Sequence, residues 1–265
     1  MKKLNFLTKK QYVEISKILD SILLDKRSNH TTFAISWLFL IKEHQIIIRN
    51  YAYLYKNSLI FFIKLFFKFF SNFLIIIIYA LKISIFRTNI NSYLKKLPKT
   101  IDVLYFSHLV NRNLLEKRKD FYFDSIKSDL IRQGLKAFSF YFNSINYNEK
   151  YFILKEKYHI RNNNFIFFEN LDFFNNINFI YLVLKEFLRI INLSFKENDF
   201  KKRVLLSAAV EAISLRTIKN IIISFQVKKI LTQSNIKMIL TTYEGHSYER
   251  LFFYLAKMNN IKIIT

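Results

Sequence analysis

The chain contains no cysteine, one proline and two glycines in 265 residues. The lack of cysteine excludes disulfide bonds, a cysteine nucleophile and a thiolate metal site. So few prolines and glycines exclude collagen-like, linker-rich and turn-rich all-β proteins, because those classes depend on both residues. Two glycines also cannot form the glycine-rich loops that cradle nucleotide phosphates, and the sequence has no His-Glu-x-x-His pattern. We therefore predict no metal, no cofactor and a chain built mostly from regular elements.

Positive charge is in large excess, with 42 Lys and Arg against 19 Asp and Glu and a net charge of +23 at pH 7. Such an excess favours a polyanionic partner. Residues 1–100 hold seventeen Lys and Arg against four Asp and Glu, beside the most apolar stretch of the chain. This placement favours an anionic membrane surface over nucleic acid, and we expect no nucleic-acid partner. The joint abundance of Lys, Asn, Ile, Phe and Tyr is also what an AT-rich genome produces without any ligand, so that alternative stays open.

Residues 58–86 form the most apolar stretch of the chain. On a helix, its polar side chains fall into one narrow stripe: Lys64, Lys68, Ser71, Asn72, Tyr79 and Lys82. A helix that lies in the membrane interface, with its lysines at the lipid headgroups, fits this pattern best. A transmembrane helix and a helix buried against the rest of the protein remain alternatives. The basic N-terminus lacks an apolar core long enough for a signal peptide, so we expect no secretion.

Pro98, the only proline, marks a change in pattern. Before it, residues 1–97 have helical patterns. After it, short apolar runs alternate with helical patterns, which is typical of a mostly parallel sheet. Strands are predicted at 101–106, 136–142, 165–168 and 238–240 and from 261, and helices at 121–133, 173–193, 200–231 and 247–258. We therefore predict an α/β chain with a helical, membrane-associated region at 1–97 and a Rossmann-like domain at 98–265, apparently truncated at its C-terminus.

The main site candidate is the segment 237–250, which is predicted to run from a strand through a tight turn into a helix. Polar groups on such a turn are well placed for a ligand, because ligands of open α/β sheets bind at the carboxyl ends of strands. Glu244 is the candidate catalytic base, and Gly245, His246 and Glu249 are candidate substrate-binding residues. In the alternative interpretation His246 only caps the helix and Glu249 only favours its N-terminus electrostatically.

A second candidate group lies at the end of the first predicted strand. Ser107 and His108 close that strand on the same predicted edge of the sheet as the segment 237–250. They are therefore candidate substrate-binding residues.

Two segments carry a resemblance to a known family. The first runs from Val103-Leu104-Tyr105-Phe106-Ser107-His108-Leu109 to Leu130-Ile131-Arg132-Gln133-Gly134-Leu135, and the second is Thr242-Tyr243-Glu244-Gly245-His246-Ser247-Tyr248-Glu249-Arg250. They resemble bacterial surface-carbohydrate biosynthesis proteins that are similar to two-domain, GT-B-type glycosyltransferases. The second segment is similar to that family's Tyr-x-Glu-Asn-Gln-x-Trp-Glu-like motif, with Glu249 at its second acidic position and Tyr248 where the family usually has Trp.

The resemblance implies that the chain is the N-terminal, acceptor-side half of a glycosyltransferase. Its partners would then be a nucleotide-sugar donor, a lipid-linked or glycan acceptor and a C-terminal partner domain. The implied location is the cytoplasmic face of the inner membrane, peripheral or with one transmembrane helix. A non-catalytic, membrane-associated subunit or scaffold is the alternative. The end of the sequence at Ile264-Thr265, inside a predicted strand, suggests a truncated or split protein.

Overall fold

The computed structural model describes residues 8–36, 38, 54, 58–83, 95, 97–109, 120, 122–143, 160–161, 164–167, 171–242 and 247–265. The described helices are α1 Lys9–Leu23, α2 His30–Phe33, α3 Ser58–Ile83, α4 Ile126–Arg132, α5 Phe173–Ser194, α6 Asp199–Ala212, α7 Leu215–Gln233 and α8 Ser247–Met258. The strands are β1 Thr100–Leu109, β2 Ala137–Asn143, β3 Ile160–Arg161, β4 Asn164–Ile166, β5 Asn235–Thr241 and β6 Lys262–Ile264.

The chain forms two compact units, each built from separate stretches of sequence. The helical unit comprises 1–87, 170–222 and 245–251, and the sheet unit comprises 88–169, 223–244 and 252–265. The helices α5 and α6 thus pack with the N-terminal helices, although they follow the proline in the sequence. The domain boundary that we expected at residue 97 stays a prediction.

The sheet has the order β3-β4-β2-β1-β5-β6. Five of these strands are parallel, and the two-residue strand β3 pairs antiparallel with β4 at one edge. The predictions of an α/β fold and a mostly parallel sheet are therefore confirmed. Ser107 and His108, which we expected to close the first strand, lie inside β1, because β1 continues to Leu109.

Several local signals in the sequence have the predicted effect. Thr8 and Gln11 form a reciprocal capping box at the start of α1. Gly134 follows α4 with φ +82°, a conformation that favours glycine at a helix end. The helical pattern predicted at 200–231 contains two helices, α6 and α7. The hydroxyl of Ser214 accepts a hydrogen bond from the amide of Thr217, 3.3 Å away, so a serine cap starts α7 without proline or glycine.

One face of the sheet is covered by aromatic rings. The ring of Phe106 on β1 stacks on Phe252 with centroids 4.0 Å apart, and it lies 5.9 Å from Phe140 on β2. Phe142 and Phe167 continue this layer, 5.1 Å apart. Alternate residues of a strand point to opposite faces, so the residues between these phenylalanines in β1 and β2 lie on the other face of the sheet.

The helix α3 packs on the helical unit through only one side. Phe61 belongs to the core of that unit, and the ring of Phe69 lies 5.6 Å from Phe187 of α5. The side-chain amide of Asn72 donates to the carbonyl oxygen of Val210 of α6, 3.0 Å away. Lys68 forms an ion pair with Glu211, the next residue of α6. Part of the polar stripe therefore contacts protein, not lipid headgroups as we expected.

The rest of α3 is apolar and exposed. Thirteen large apolar side chains of this helix lie at the surface: Leu59, Ile60, Phe62, Ile63, Phe66, Phe67, Phe70, Phe73, Leu74, Ile75, Ile77, Ile78 and Leu81. At 100° per residue they cover roughly 200° of the circumference. By length and composition α3 could cross a membrane, and only 11% of the segment Leu59–Leu81 is buried. The described residues therefore leave most of α3 unburied.

A buried ionic network holds α2 against α5 in the helical unit. The carboxylate of Glu186, which is 3% exposed, accepts from the hydroxyl of Thr32 at 2.8 Å and from Nη2 of Arg189 at 2.7 Å. The other terminal nitrogen of Arg189 lies 3.5 Å from the carboxylate of Asp25. Every charge in this network has a partner of opposite sign, which is the condition for burying charge.

We predict that Arg189→Met destabilises the protein by about 3–5 kcal/mol, because it leaves the carboxylate of Glu186 buried without its cation. Urea unfolding followed by circular dichroism measures this change. The control is Arg132→Met, which removes an exposed ion pair with Asp129 and should shift stability by less than about 1 kcal/mol. Equal midpoints for the two variants would contradict the role given to Glu186.

Candidate functional site

The strand order defines where a ligand crevice lies in this type of sheet. From β1 the chain moves outward through β2 to β4, then returns to place β5 on the other side of β1. The order thus reverses between β1 and β5, which pair in parallel up to Phe106 and Thr241. In open α/β sheets ligands bind outside the carboxyl ends of the two strands at such a reversal. Here those ends are Leu109 and Thr241.

The segment after β5 holds the candidate base and three candidate binding residues. Glu244, Gly245 and His246 lie outside the described residues, so their roles stay predictions. Glu249 lies in the first turn of α8 and is 1% exposed. A carboxylate at this position favours the helix N-terminus, whether or not it also binds a substrate. Burial lowers the pKa of Arg250, the next residue.

Ser107 and His108 are neighbours in β1 and therefore point to opposite faces of the sheet. The ring of His108 lies on the aromatic face, 5.2 Å from Phe142 and 6.0 Å from Tyr122. Ser107 is fully buried on the other face, where its hydroxyl donates to Oδ1 of Asp120 at 2.7 Å. The structure thus divides the two candidates between different surroundings, and their substrate-binding roles stay predictions.

The face opposite the aromatic layer carries buried polar side chains. We call them the polar-face cluster: Tyr105 and Ser107 of β1, Ser139 and Tyr141 of β2, Asn164 of β4, Lys127 of α4, and Asp120. In the sheet register Tyr105 lies opposite Ser139, and Ser139 lies opposite Asn164. Polar side chains therefore lie side by side on three neighbouring strands, β1, β2 and β4.

Asp120 is the fixed acceptor of this cluster. Its Oδ1 accepts three hydrogen bonds, from the hydroxyl of Ser107 at 2.7 Å and from the backbone amides of Tyr122 at 2.9 Å and Phe123 at 3.1 Å. The backbone of Asp120 also pairs with Asp124, whose φ is +40°. These contacts hold the carboxylate in one orientation, as a preorganised site requires.

Lys127 supplies the positive charge of the cluster. It is 9% exposed and donates a hydrogen bond to Oδ1 of Asn164. Burial lowers the pKa of Lys127 to about 7, and the charge of Asp120 opposes this shift. Burial and then the charge of Asp120 raise the pKa of Tyr105 to about 12. An amine that titrates near neutrality beside an oriented carboxylate can exchange protons or hold a hydrogen-bonding ligand.

Sequence reasoning found Ser107 but missed the other members of this cluster. Polar residues at every second position of β1 and β2, such as Tyr105 with Ser107 and Ser139 with Tyr141, were a usable signal for a polar sheet face. Asp120 and Lys127 carry no such signal, because they reach the cluster through tertiary folding. Within the described part of the chain, no group of three or more His, Asp or Glu side chains is placed to hold a metal ion.

Comparison of the chain with models of protein families, with curated proteins and with solved structures gave no match.

We predict that the free energy of unfolding rises as the pH increases from about 7 to about 10, because of Lys127. Its pKa is about 7 in the folded state against 10.5 ordinarily, so the unfolded chain binds more protons in this window. The contribution is on the order of 2–4 kcal/mol. Above pH 10, ionisation of tyrosine in the unfolded chain works in the opposite direction, since the pKa of Tyr105 is raised.

The measurement is urea unfolding at several pH values for the native chain, Lys127→Met and Lys257→Met. Lys257 is exposed on α8 and controls for the general loss of positive charge. The rise should be smaller in Lys127→Met than in the other two proteins. Identical slopes in all three would show that Lys127 is not the responsible group.

Proposed function

We propose that this protein is a membrane-associated, glycosyltransferase-like protein of bacterial cell-surface polysaccharide biosynthesis. Its Rossmann-like sheet unit serves the acceptor side of a sugar transfer from a nucleotide-sugar donor. The donor itself is bound by a C-terminal partner domain. Glu244 acts as the base on the acceptor hydroxyl, and the protein works at the cytoplasmic face of the inner membrane.

The observation that carries this proposal is where the two family-like segments fall in the sheet. One segment begins inside β1 and includes its end, and the other begins at Thr242, directly after β5. These two strands are neighbours, and the strand order reverses between them. His108, near the end of β1, and Thr242, directly after β5, are 134 residues apart in the sequence but therefore lie at the same edge of the sheet. This edge is where open α/β folds bind nucleotide and sugar ligands.

The exposed side of α3 supports the membrane association. Soluble monomers rarely leave so large a contiguous apolar surface in water, and such surfaces mark membrane or protein interfaces. Lys64 and Ser71 are exposed beside the contact with α6, where they can meet lipid headgroups. The charge of +23 favours an anionic lipid surface in the same way.

An in-plane position of α3 explains its contacts better than a spanning one. The ion pair between Lys68 and Glu211 joins α3 to α6 near the middle of the apolar segment. If α3 spanned the bilayer, this pair and the neighbouring helix α6 would lie at the depth of the hydrocarbon, where charges are costly. A helix in the interface keeps the pair on its protein side and turns its apolar side toward the acyl chains.

We predict that Glu244→Gln abolishes assembly of the surface polysaccharide, because the amide cannot accept the proton of the acceptor hydroxyl. The readout is polysaccharide on cells that carry the variant as their only copy. Glu14→Gln, on the exposed side of α1, is the matched control. If the Glu244→Gln protein is present at normal level and polysaccharide is unchanged, the catalytic proposal fails and the non-catalytic scaffold becomes the better account.

We predict that the triple variant Phe67→Asp, Leu74→Asp, Ile78→Asp no longer binds lipid vesicles. These three side chains are 67%, 42% and 51% exposed and fall on one line of α3, so they enter the lipid together. Each aspartate adds the cost of burying a charge in an apolar medium. Flotation with phosphatidylglycerol-containing vesicles measures the binding.

The control for this test is Ile131→Asp, Leu135→Asp, which places charges on exposed apolar positions of the sheet unit. Ile76 is unsuitable for either variant, because it is 3% exposed and its substitution would disturb packing. Continued flotation of the triple variant, with an unchanged circular dichroism spectrum, would exclude α3 as the membrane-binding surface.

A further inference from the structure

The helix α5 carries a second exposed apolar surface in the helical unit. Its buried positions, which include Phe179, Val183 and Ile190, lie on one side of the helix. On the opposite side, five large side chains of α5 and its C-cap are each between 43% and 82% exposed: Phe174, Ile177, Tyr181, Leu188 and Phe195. At 100° per residue they fall within roughly 60° of the circumference. We call these five residues the α5 stripe.

The α5 stripe lies on the same side of the helical unit as the exposed side of α3. The helix α6 packs along α5, and it also contacts α3 through Lys68 and Asn72. The helices α3 and α5 contact each other through Phe69 and Phe187. Because the three helices pack against one another as a triangle, the sides of α3 and α5 that turn away from α6 face the same way. Those sides are the exposed apolar side of α3 and the α5 stripe.

Positive side chains border this combined surface at both edges. On α5 the exposed Lys185 and, just beyond the helix, Lys196 follow the edge of the stripe that is farther from α3. On α3 the exposed Lys64 lies at the opposite edge, beside the contact with α6. Neither helix has an exposed acidic side chain, because α3 contains no Asp or Glu and the single one in α5, Glu186, is buried.

These charges favour one occupant over another. If a second copy of the chain covered the α5 stripe across a two-fold axis, Lys185 and Lys196 would face an identical stripe that offers no acidic side chain. Two chains with a charge of +23 each also repel one another. An anionic bilayer, in contrast, accepts apolar side chains among its acyl chains and attracts lysines to its headgroups.

We propose that the α5 stripe is a second membrane-contact surface, which together with the exposed side of α3 holds the helical unit on an anionic bilayer. The inference rests on the membrane association proposed above, and it adds the surface that fixes the orientation of the protein on the bilayer. The buried ion pair of Glu186 and Arg189 lies within α5, so this helix lies on the bilayer and does not cross it.

Flotation of the full chain with vesicles tests the stripe directly. The triple variant Phe174→Ser, Tyr181→Ser, Leu188→Ser should bind vesicles of phosphatidylglycerol and phosphatidylcholine about tenfold more weakly, because three apolar side chains no longer enter the bilayer. The matched control is Ile126→Ser, Ile131→Ser, Leu135→Ser, at three exposed apolar positions of the sheet unit. If the α5 variant keeps the circular dichroism spectrum of the native chain and binds equally well, the inference is wrong.

The lysines at the edge of the stripe give an independent test. The variant Lys185→Gln, Lys196→Gln should bind the mixed vesicles about tenfold more weakly and bind vesicles of phosphatidylcholine alone as the native chain does. The control Lys257→Gln, Lys262→Gln removes the same charge from exposed positions of the sheet unit. Equal losses in the two variants would mean that only net charge matters, which contradicts the role given to this edge.

A fluorescent probe locates the stripe with a single substitution. With nitrobenzoxadiazole attached to the cysteine of Tyr181→Cys, emission should shift to shorter wavelength when the mixed vesicles are added. The same probe on Ile131→Cys, in the sheet unit, should show no shift. A chain that floats with the vesicles but shows no shift at Tyr181→Cys would overturn the inference.

Failure of this inference is distinguishable from failure of the proposed function. If the aspartate variant of α3 is released and the serine variant of α5 is not, α3 remains the membrane-binding surface and the α5 stripe is excluded. If neither variant is released, the membrane association itself fails. In light scattering of the full chain in nonionic detergent, a native dimer that the α5 variant converts to a monomer would assign the stripe to a second copy and overturn the inference.

Discussion

The side-chain amide of Asn72 donates to the carbonyl of Val210, 3.0 Å away, and this contact fixes which side of α3 faces the helical unit. Val210 lies in the last turn of α6, where carbonyl groups have no donor within their own helix. The hydrogen bond therefore satisfies two groups that would otherwise need water. Because Asn72 and Lys68 face α6, most of the large apolar side chains of α3 lie on the outer surface of this helix. The membrane association that we propose is a consequence of this orientation.

In the sheet unit, too, the packing of one face determines which side chains lie on the other face. The rings of Phe106, Phe140 and Phe142 fill one face of the sheet, so the alternate residues Tyr105, Ser107 and Ser139 are confined to the other. On that face polar groups are buried, and each needs a partner. The hydroxyl of Ser107 donates to Asp120, and Tyr141 lies within hydrogen-bonding reach of both Asp120 and Ser139.

Features that depend on local chemistry could be predicted from the sequence. Thr8 caps α1, Gly134 ends α4, and the alternation of apolar runs with helical patterns gives a mostly parallel sheet. The features of the candidate site and of α3 that could not be predicted depend on contacts between distant residues. No periodicity shows that Asn72 bonds to a carbonyl 138 residues away, and the apolar stretch alone allowed a buried helix. Asp120 and Lys127 lie in polar sequence without a pattern, and only folding brings them to Ser107 and Asn164. The catalytic role of Glu244 stays a prediction.

The most direct test of the account is the solvent exposure of α3 in the presence and absence of lipid. Because the chain has no cysteine, single cysteines can be introduced at Phe67 and Ile78 on the outer side and at Ile131 on α4 as a comparison. The account predicts that a water-soluble maleimide labels the two α3 positions readily without vesicles and slowly with them, with a smaller change at Ile131. Equal labelling of the α3 positions in both conditions would contradict the proposal that this side of α3 lies in the membrane.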